Sequence, residues 1–104
     1  MFEKLEAAEQ RYEEMGMQLT RPEVINDSAL YTKLSKEYSG MTPIIEKYRE
    51  YKAVRDTIEE AELLLADDST DKDFRDMLED EILEGKKSIE SLSDELKILL
   101  LPKD

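Results

Sequence analysis

The sequence contains no cysteine and no histidine. Disulfide bonds are therefore excluded, as are metal sites built on thiolate or imidazole ligands and nucleophiles of the Cys–His type. Glycine and proline occur only three times each. Because these two residues supply many of the tight turns in proteins, the chain has few places at which to reverse direction, and long uninterrupted elements are expected.

The sequence also lacks any apolar run approaching the roughly 20 residues of a membrane-spanning helix. Its N-terminus, Met1–Leu5, is charged and amphipathic, which is not the pattern of a secretory signal peptide. A cytoplasmic location is therefore expected. With 104 residues, the chain is long enough for one domain at most, and we expect residues 1–104 to form it.

Acidic residues strongly outnumber basic ones, and they are unevenly placed. The chain carries 27 Asp and Glu against 15 Lys and Arg, a net charge of −12. Residues 56–84 hold 13 of the acids and only two of the bases, which is a net charge of −11. One end of the molecule should therefore be strongly negative. Phosphates would be repelled over much of this surface, so little direct contact with nucleic acid is expected.

The longest apolar pattern predicts a long second helix, over about 28–66. Its apolar residues recur every three or four positions, which places them on one helical face: Leu30, Leu34, Tyr38, Met41, Ile45, Tyr48, Tyr51, Val54, Ile58, Ala61 and Leu65. Pro43 interrupts this pattern and permits two interpretations. Either the helix breaks, with Thr42 as its new N-cap, or it continues with a kink near 40–43. The unbroken phase from Tyr38 to Ile45 favours the kinked, continuous helix.

Similar spacing predicts a first helix over about 2–19 and a third over about 71–100. The stripe of the third helix, which resembles a coiled-coil seam, consists of Phe74, Leu78, Ile82, Gly85, Ile89, Leu92, Leu96 and Leu99. Glu23–Asp27 is expected to be a connector whose Val24 and Ile25 tuck back onto the helices, and Thr70 with Asp73 resembles a capping box. A turn as short as the one after residue 66 makes helices two and three antiparallel neighbours. The predicted fold is therefore all-α, with a long antiparallel hairpin of helices two and three and the first helix packed against it. Gly85 in the third stripe should let the facing helix approach closely.

No residue pattern predicts a catalytic, metal or cofactor site. Asp67, Ser69 and Asp71 alternate like the start of a calcium loop, but Lys72 stands where that loop needs glycine. The carboxylates lie on exposed helix faces, where nothing raises a pKa or excludes water. Tyr38, Tyr48 and Tyr51 could form a stacking platform for bases, although their helical spacing favours a place in the core. The candidate partner-binding residues are Asp67, Asp68 and Ser69, at the acidic turn, where a basic surface could dock.

Two segments resemble a known family. Pro22–Asp27 followed by Tyr31–Tyr38 is similar to the N-terminal region of bacterial class I peptide chain release factors, and Leu99–Asp104 resembles the junction after that region in the type that acts at UAA and UAG. The resemblance implies a helical first domain of a longer factor. In the family, a Pro-x-Thr motif reads the stop codon and a Gly-Gly-Gln motif serves peptidyl-tRNA hydrolysis, and this sequence has neither.

The resemblance further implies a non-catalytic module that lies near the stalk base of the large ribosomal subunit and modulates the binding and recycling of the factor. No contact residue can be transferred by motif. The alternative from the residues alone is a generic coiled-coil hairpin that serves as an oligomerisation or scaffold module, and self-association of the isolated chain remains open.

Overall fold

The computed structural model describes residues 1–102, and it contains four helices: α1 (Phe2–Gln18), α2 (Pro22–Ile25), α3 (Ser28–Leu65) and α4 (Lys72–Leu99). No strand occurs among these residues, which confirms the all-α class. The long helices begin and end within one residue of the predicted bounds. The residues cluster into two compact units, Met1–Glu46 and a second that begins at Lys47. The single domain expected from chain length stays a prediction.

The first unit is built by α1 and the beginning of α3. Met15, Val24 and Leu34 form a buried cluster against which Leu19, Tyr38 and Met41 pack. The rings of Tyr12 and Tyr38 stack with their centroids 4.1 Å apart, and the Tyr12 hydroxyl lies 2.9 Å from Thr42 Oγ1. At the surface, Arg11 donates to Glu37 at 2.6 Å. The predicted packing of the first helix is thus made against the first part of α3.

The connector between α1 and α3 contains the short helix α2, which the sequence analysis did not predict. Pro22 stands at its start, where a proline costs no backbone hydrogen bond. Arg21 before it is extended, as the residue preceding a proline prefers. Of the two residues expected to tuck inward, Val24 is buried but Ile25 is 52% exposed, so that expectation was right for Val24 alone.

Helix α3 begins where Asp27 Oδ1 accepts a hydrogen bond from the Leu30 N–H at 3.1 Å, which is N-cap geometry. The helix then runs without interruption through Pro43 to Leu65. The continuous interpretation is therefore confirmed and the broken one is wrong, while the kink stays a prediction.

The second unit consists of the rest of α3 and the antiparallel α4. Ile58 and Ala61 on α3 and Leu78 and Leu92 on α4 are buried. A Cβ atom placed on Gly85 would lie only 2.7 Å from Ile58 Cγ1. The close approach predicted at this glycine is therefore confirmed.

The residues Lys103 and Asp104, which complete the Leu-Pro-Lys-Asp ending, lie outside the described part of the chain. Within residues 1–102, none of the helices has the length and apolar character needed to cross a membrane.

Candidate functional site

The acidic turn after α3 is organised by Asp67. Its Oδ1 accepts hydrogen bonds from the Ser69 N–H at 2.9 Å and from the Ser69 hydroxyl at 2.8 Å. An aspartate that binds the backbone two residues ahead forms an Asx turn, which redirects the chain locally. Asp67 therefore shapes the turn as well as contributing charge to it.

At the two helix ends that flank the turn, different side chains form hydrogen bonds with the free backbone groups. The Leu64 carbonyl, which lacks the regular intrahelical donor four residues on, accepts from the Thr70 hydroxyl at 2.7 Å and from the Asp67 N–H at 3.3 Å. Asp71 caps α4 by accepting from the Phe74 N–H at 3.0 Å. The predicted Thr70–Asp73 capping box is thus wrong, because Thr70 is bound to the preceding helix and Asp71 occupies the N-cap.

Hydrogen bonding also sets the ionisation of Asp67. The Ser69 backbone N–H, followed by the Ser69 hydroxyl, lowers the pKa of the Asp67 carboxyl below its ordinary value. Donors aimed at a carboxylate stabilise its charged form. Asp67 is therefore ionised throughout the neutral range.

Little positive charge is available to neutralise this end of the molecule. Of the two bases in residues 56–84, Arg75 directs its Nη1 toward the Asp67 carbonyl oxygen at 3.4 Å. Arg55, just outside the segment, pairs with Asp56 at 3.1 Å. The remaining acids lie on exposed helix surfaces, where a basic partner could reach them.

The three predicted partner-binding residues therefore differ in what they are able to do. Asp67 and Ser69 are exposed but bound to each other, so their side chains hold the turn together. Asp68 is exposed and makes no hydrogen bond or ion pair with any other described residue. Their role in binding stays a prediction, in which Asp68 is the side chain best placed to meet a partner.

The tyrosines of α3 do not form an open platform for bases. Tyr48 is buried, with Lys52 Nζ 4.6 Å from its ring centroid. Tyr38 stacks on Tyr12, and Tyr51 is half-buried. The core interpretation is thus confirmed for Tyr38 and Tyr48.

No cluster of three or more possible metal-ligating side chains occurs among residues 1–102. A shallow groove of about 200 Å³ lies in the second unit beside Lys47 and Glu95. These two residues form a salt bridge in which Lys47 Nζ lies 2.9 Å from Glu95 Oε2. The hydrogen bond that Lys47 donates to the Glu95 carboxylate raises the pKa of Lys47. This groove is open to solvent and smaller than the roughly 300–1,000 Å³ of typical ligand sites, so it does not enclose a small molecule.

The sequence analysis missed three features of the surface and core. It did not predict α2, the burial of Glu9 on α1, or the large apolar side chains that stay exposed beside the hairpin. Of these three features, only the exposed apolar side chains could have been found from the sequence, since Leu64 and Met77 fall outside the apolar stripes of α3 and α4.

Comparison with known proteins gives a consistent result over the whole chain. The family model described as "PCRF domain" matches residues 8–104. The chain is 47% identical to "Peptide chain release factor 1" of Caldicellulosiruptor saccharolyticus over 104 residues, which is all of this chain and 29% of that protein. It is 44% identical to the protein of the same name from Alkaliphilus oremlandii and 46% identical to that from a Geobacillus species, with the same coverage.

The chain thus spans about 29% of the length of the curated relatives that it matches. No solved structure matches it.

Proposed function

This chain belongs to the PCRF domain family, and we propose that it is the non-catalytic N-terminal module of a translation termination factor. The observation that carries the proposal is the similarity to peptide chain release factor 1 proteins over all 104 residues. The module would modulate how the factor binds the ribosome and how it is recycled. We further propose that residues 1–104 act as one domain in the cytoplasm, where translation takes place.

The architecture supports a role in contact rather than in chemistry. The long helices α3 and α4 hold an acidic turn at their common end, and the carboxylates there are exposed. The sequence contains neither the Pro-x-Thr nor the Gly-Gly-Gln motif to which the family resemblance assigns codon reading and hydrolysis. Those tasks would fall to other parts of the complete factor.

The proposed partner is the ribosome, at the stalk base of the large subunit, and the proposed contact is the turn containing Asp67, Asp68 and Ser69. Its negative charge suits a basic protein surface, because complementary charges speed association and fix orientation. The same charge disfavours direct contact with the phosphates of ribosomal RNA.

A peptide-release assay tests the non-catalytic role. Added alone to ribosomes stalled at a stop codon, the chain should release no peptide above the background without factor. A full-length relative supplies the positive control. Release by the chain alone would show that the proposal is wrong.

A second arm tests the modulating role. A full-length factor from which the equivalent of residues 1–104 has been removed should still release peptide at saturating concentration, but its association or recycling rate should change. Unchanged rates of both steps would contradict the proposed module and favour a scaffold role for the hairpin.

A further inference from the structure

One side of the α3–α4 hairpin carries a groove that the proposed function does not use. The groove is shallow and open to solvent, has a volume of about 310 Å³, and is lined on α3 by Ala53, Val54 and Thr57, and on α4 by Glu81, Glu84, Gly85 and Ser88. Val54 and Gly85 are half-buried members of the seam, which is formed by the facing apolar stripes of α3 and α4. The others immediately precede a seam residue on their own helix. In an antiparallel pair, residues that precede seam positions on the two helices lie on the same side.

Other residues that precede seam positions continue this side of the hairpin toward the acidic turn. Leu64 precedes the seam residue Leu65, and Met77 precedes the seam residue Leu78. Leu64 is six residues beyond Ile58, and Met77 is eight residues before Gly85, which Ile58 contacts. Both therefore lie about 9–12 Å along the hairpin from that contact. Leu64 is 43% exposed and Met77 is 64% exposed, so two large apolar side chains stand uncovered at the same level.

The rim of this side is acidic. Within the helices, the residues three or four positions from Leu64 and Met77 include Glu60, Asp73 and Glu81 and no Lys or Arg. Such residues share a helical face with their neighbours. Arg75 is two positions from Met77 and therefore points elsewhere, and Lys87 lies 3.6 Å from Glu84. Near Leu64 and Met77, the apolar strip is thus bordered by carboxylates, whereas farther along the groove the Glu84 carboxylate is paired with Lys87.

We propose that this side groove, formed by Thr57, Leu64, Met77, Glu81, Glu84 and Gly85, binds a basic amphipathic α-helix of a protein partner. The apolar face of that helix would cover Leu64 and Met77, and its Lys and Arg side chains would meet the acidic rim. Small side chains in the floor allow a third helix to approach, and methionine adapts to varied apolar partners. The surface and its partner chemistry go beyond the proposed function and do not depend on it.

Charge argues for this occupant over two others. A second copy of the chain would bring the same carboxylates to the groove, and like charges repel. A nucleic acid would bring phosphates. Of the three, only a basic amphipathic helix offers apolar side chains to Leu64 and Met77 together with positive charges to the carboxylates of the rim.

The test uses the 104-residue chain and a fluorescent peptide of leucine and lysine, about 18 residues or five helical turns long, with its leucines on one face. A peptide of the same composition with the leucines scattered is the control for charge alone. Fluorescence anisotropy should show tighter binding of the amphipathic peptide. The double variant Leu64→Ala, Met77→Ala should weaken that binding about tenfold, as for central contacts of an interface.

The matched control is the double variant Leu63→Ala, Leu83→Ala. These leucines are also exposed, at 73% and 55%, but they do not precede seam residues. Their loss should change affinity less than about twofold, since truncating residues outside the central contacts costs little. Circular dichroism of both variants checks that the helices are intact.

Three results would overturn the proposal: equal binding of the two peptides, equal loss in the two double variants, or parental affinity of the Leu64 and Met77 variant. Sedimentation that shows dimers dependent on Leu64 and Met77 would assign the groove to a second copy instead. The assay contains no ribosome, so its failure would leave the termination proposal standing, and the reverse also holds.

Discussion

The three glycines of this chain all lie within helices, yet each faces a different environment. A Cβ atom on Gly85 would meet Ile58 Cγ1 at 2.7 Å, one on Gly16 would meet the Tyr38 ring at 3.2 Å, and one on Gly40 would meet nothing within 4 Å. Packing requires a glycine at position 85 and leaves little room for a larger residue at position 16. At position 40 nothing requires glycine, which there only adds conformational entropy to the unfolded chain.

Replacing Gly85 and Gly40 by alanine should therefore have opposite effects. Gly85→Ala forces Ile58 or the α4 backbone to shift and should lower the free energy of unfolding by about 1–3 kcal/mol, which is typical of overpacking. Gly40→Ala adds helix propensity without a clash and should raise that energy by up to about 1 kcal/mol. Urea unfolding of both variants measures the two values. A stabilising Gly85→Ala would mean that the seam has room at this position.

Ser69 supplies the second prediction at this scale. Ser69→Ala removes the hydroxyl donor but keeps the backbone N–H, so the pKa of Asp67 should rise only part of the way to its ordinary value. Because the folded-state pKa is lowered, the stability that Asp67 contributes is present above its unfolded pKa and is lost as pH falls through its folded pKa. Carboxyl NMR titration of parent and variant measures the shift. An unchanged pKa would contradict the role of the hydroxyl.

At the scale of elements, the long helices were predictable because apolar spacing specifies them directly. Continuity through Pro43 was also predictable, since Tyr38 and Ile45 keep helical phase on either side. The short α2 was not, because a single turn has no period to detect. The cap of α4 was assigned to Thr70 instead of Asp71, since adjacent polar residues are equally good caps in sequence and only the three-dimensional turn directs Thr70 to Leu64.

The stripes also predicted too much burial at their ends. Phe74 and Leu99, the outer members of the α4 stripe, are 39% and 40% exposed. Helical spacing states which face a residue occupies, but not whether the facing helix extends far enough to cover it.

The seam between α3 and α4 should dominate the stability of the second unit. Leu92 is 6% exposed, and Leu83 on the same helix is 55% exposed. Leu92→Ala should cost about 2–5 kcal/mol, as for other buried leucines, and Leu83→Ala less than about 0.5 kcal/mol, as for surface positions. Thermal unfolding of the two variants provides the comparison, and similar midpoints would refute the assignment of the seam.

At the scale of the whole molecule, charge asymmetry is the property with consequences for binding. If the turn docks onto a basic surface, the variant Asp67→Asn, Asp68→Asn should slow association of the full-length factor with ribosomes. Asparagine keeps an oxygen for the Asx turn, so the change removes charge more than structure. The loss should shrink as salt rises, because exposed charges are screened beyond a Debye length of roughly 8 Å at physiological ionic strength.

A matched variant, Glu90→Gln, Asp94→Asn, removes the same charge from α4 outside the acidic segment. Stopped-flow association rates at low and moderate salt should be reduced much less by it. Equal rates for parent and both variants at every salt concentration would remove the docking role of the turn.

The location of this acidic end could be predicted from the sequence, since 13 acids within residues 56–84 must cluster once the hairpin forms. Which of its residues bond to each other could not be predicted. The sequence alone does not show that Ser69 donates hydrogen bonds to Asp67 while the Asp68 side chain faces solvent, because that depends on the turn geometry.

The arrangement of the first core cluster bears on how the protein is made. Every side chain of that cluster, from Met15 to Met41, lies within the first 46 residues. A nascent chain emerges from its N-terminus, so these partners are all available before α4 has been synthesised. The hairpin contact of Gly85 with Ile58 spans 27 residues. Most contacts of a helical protein are nevertheless local, within the helices themselves, and helical bundles fold in microseconds to milliseconds. Folding should therefore keep pace with synthesis at about 5–20 residues per second. The leucines that the folded chain buries would then have little time to aggregate.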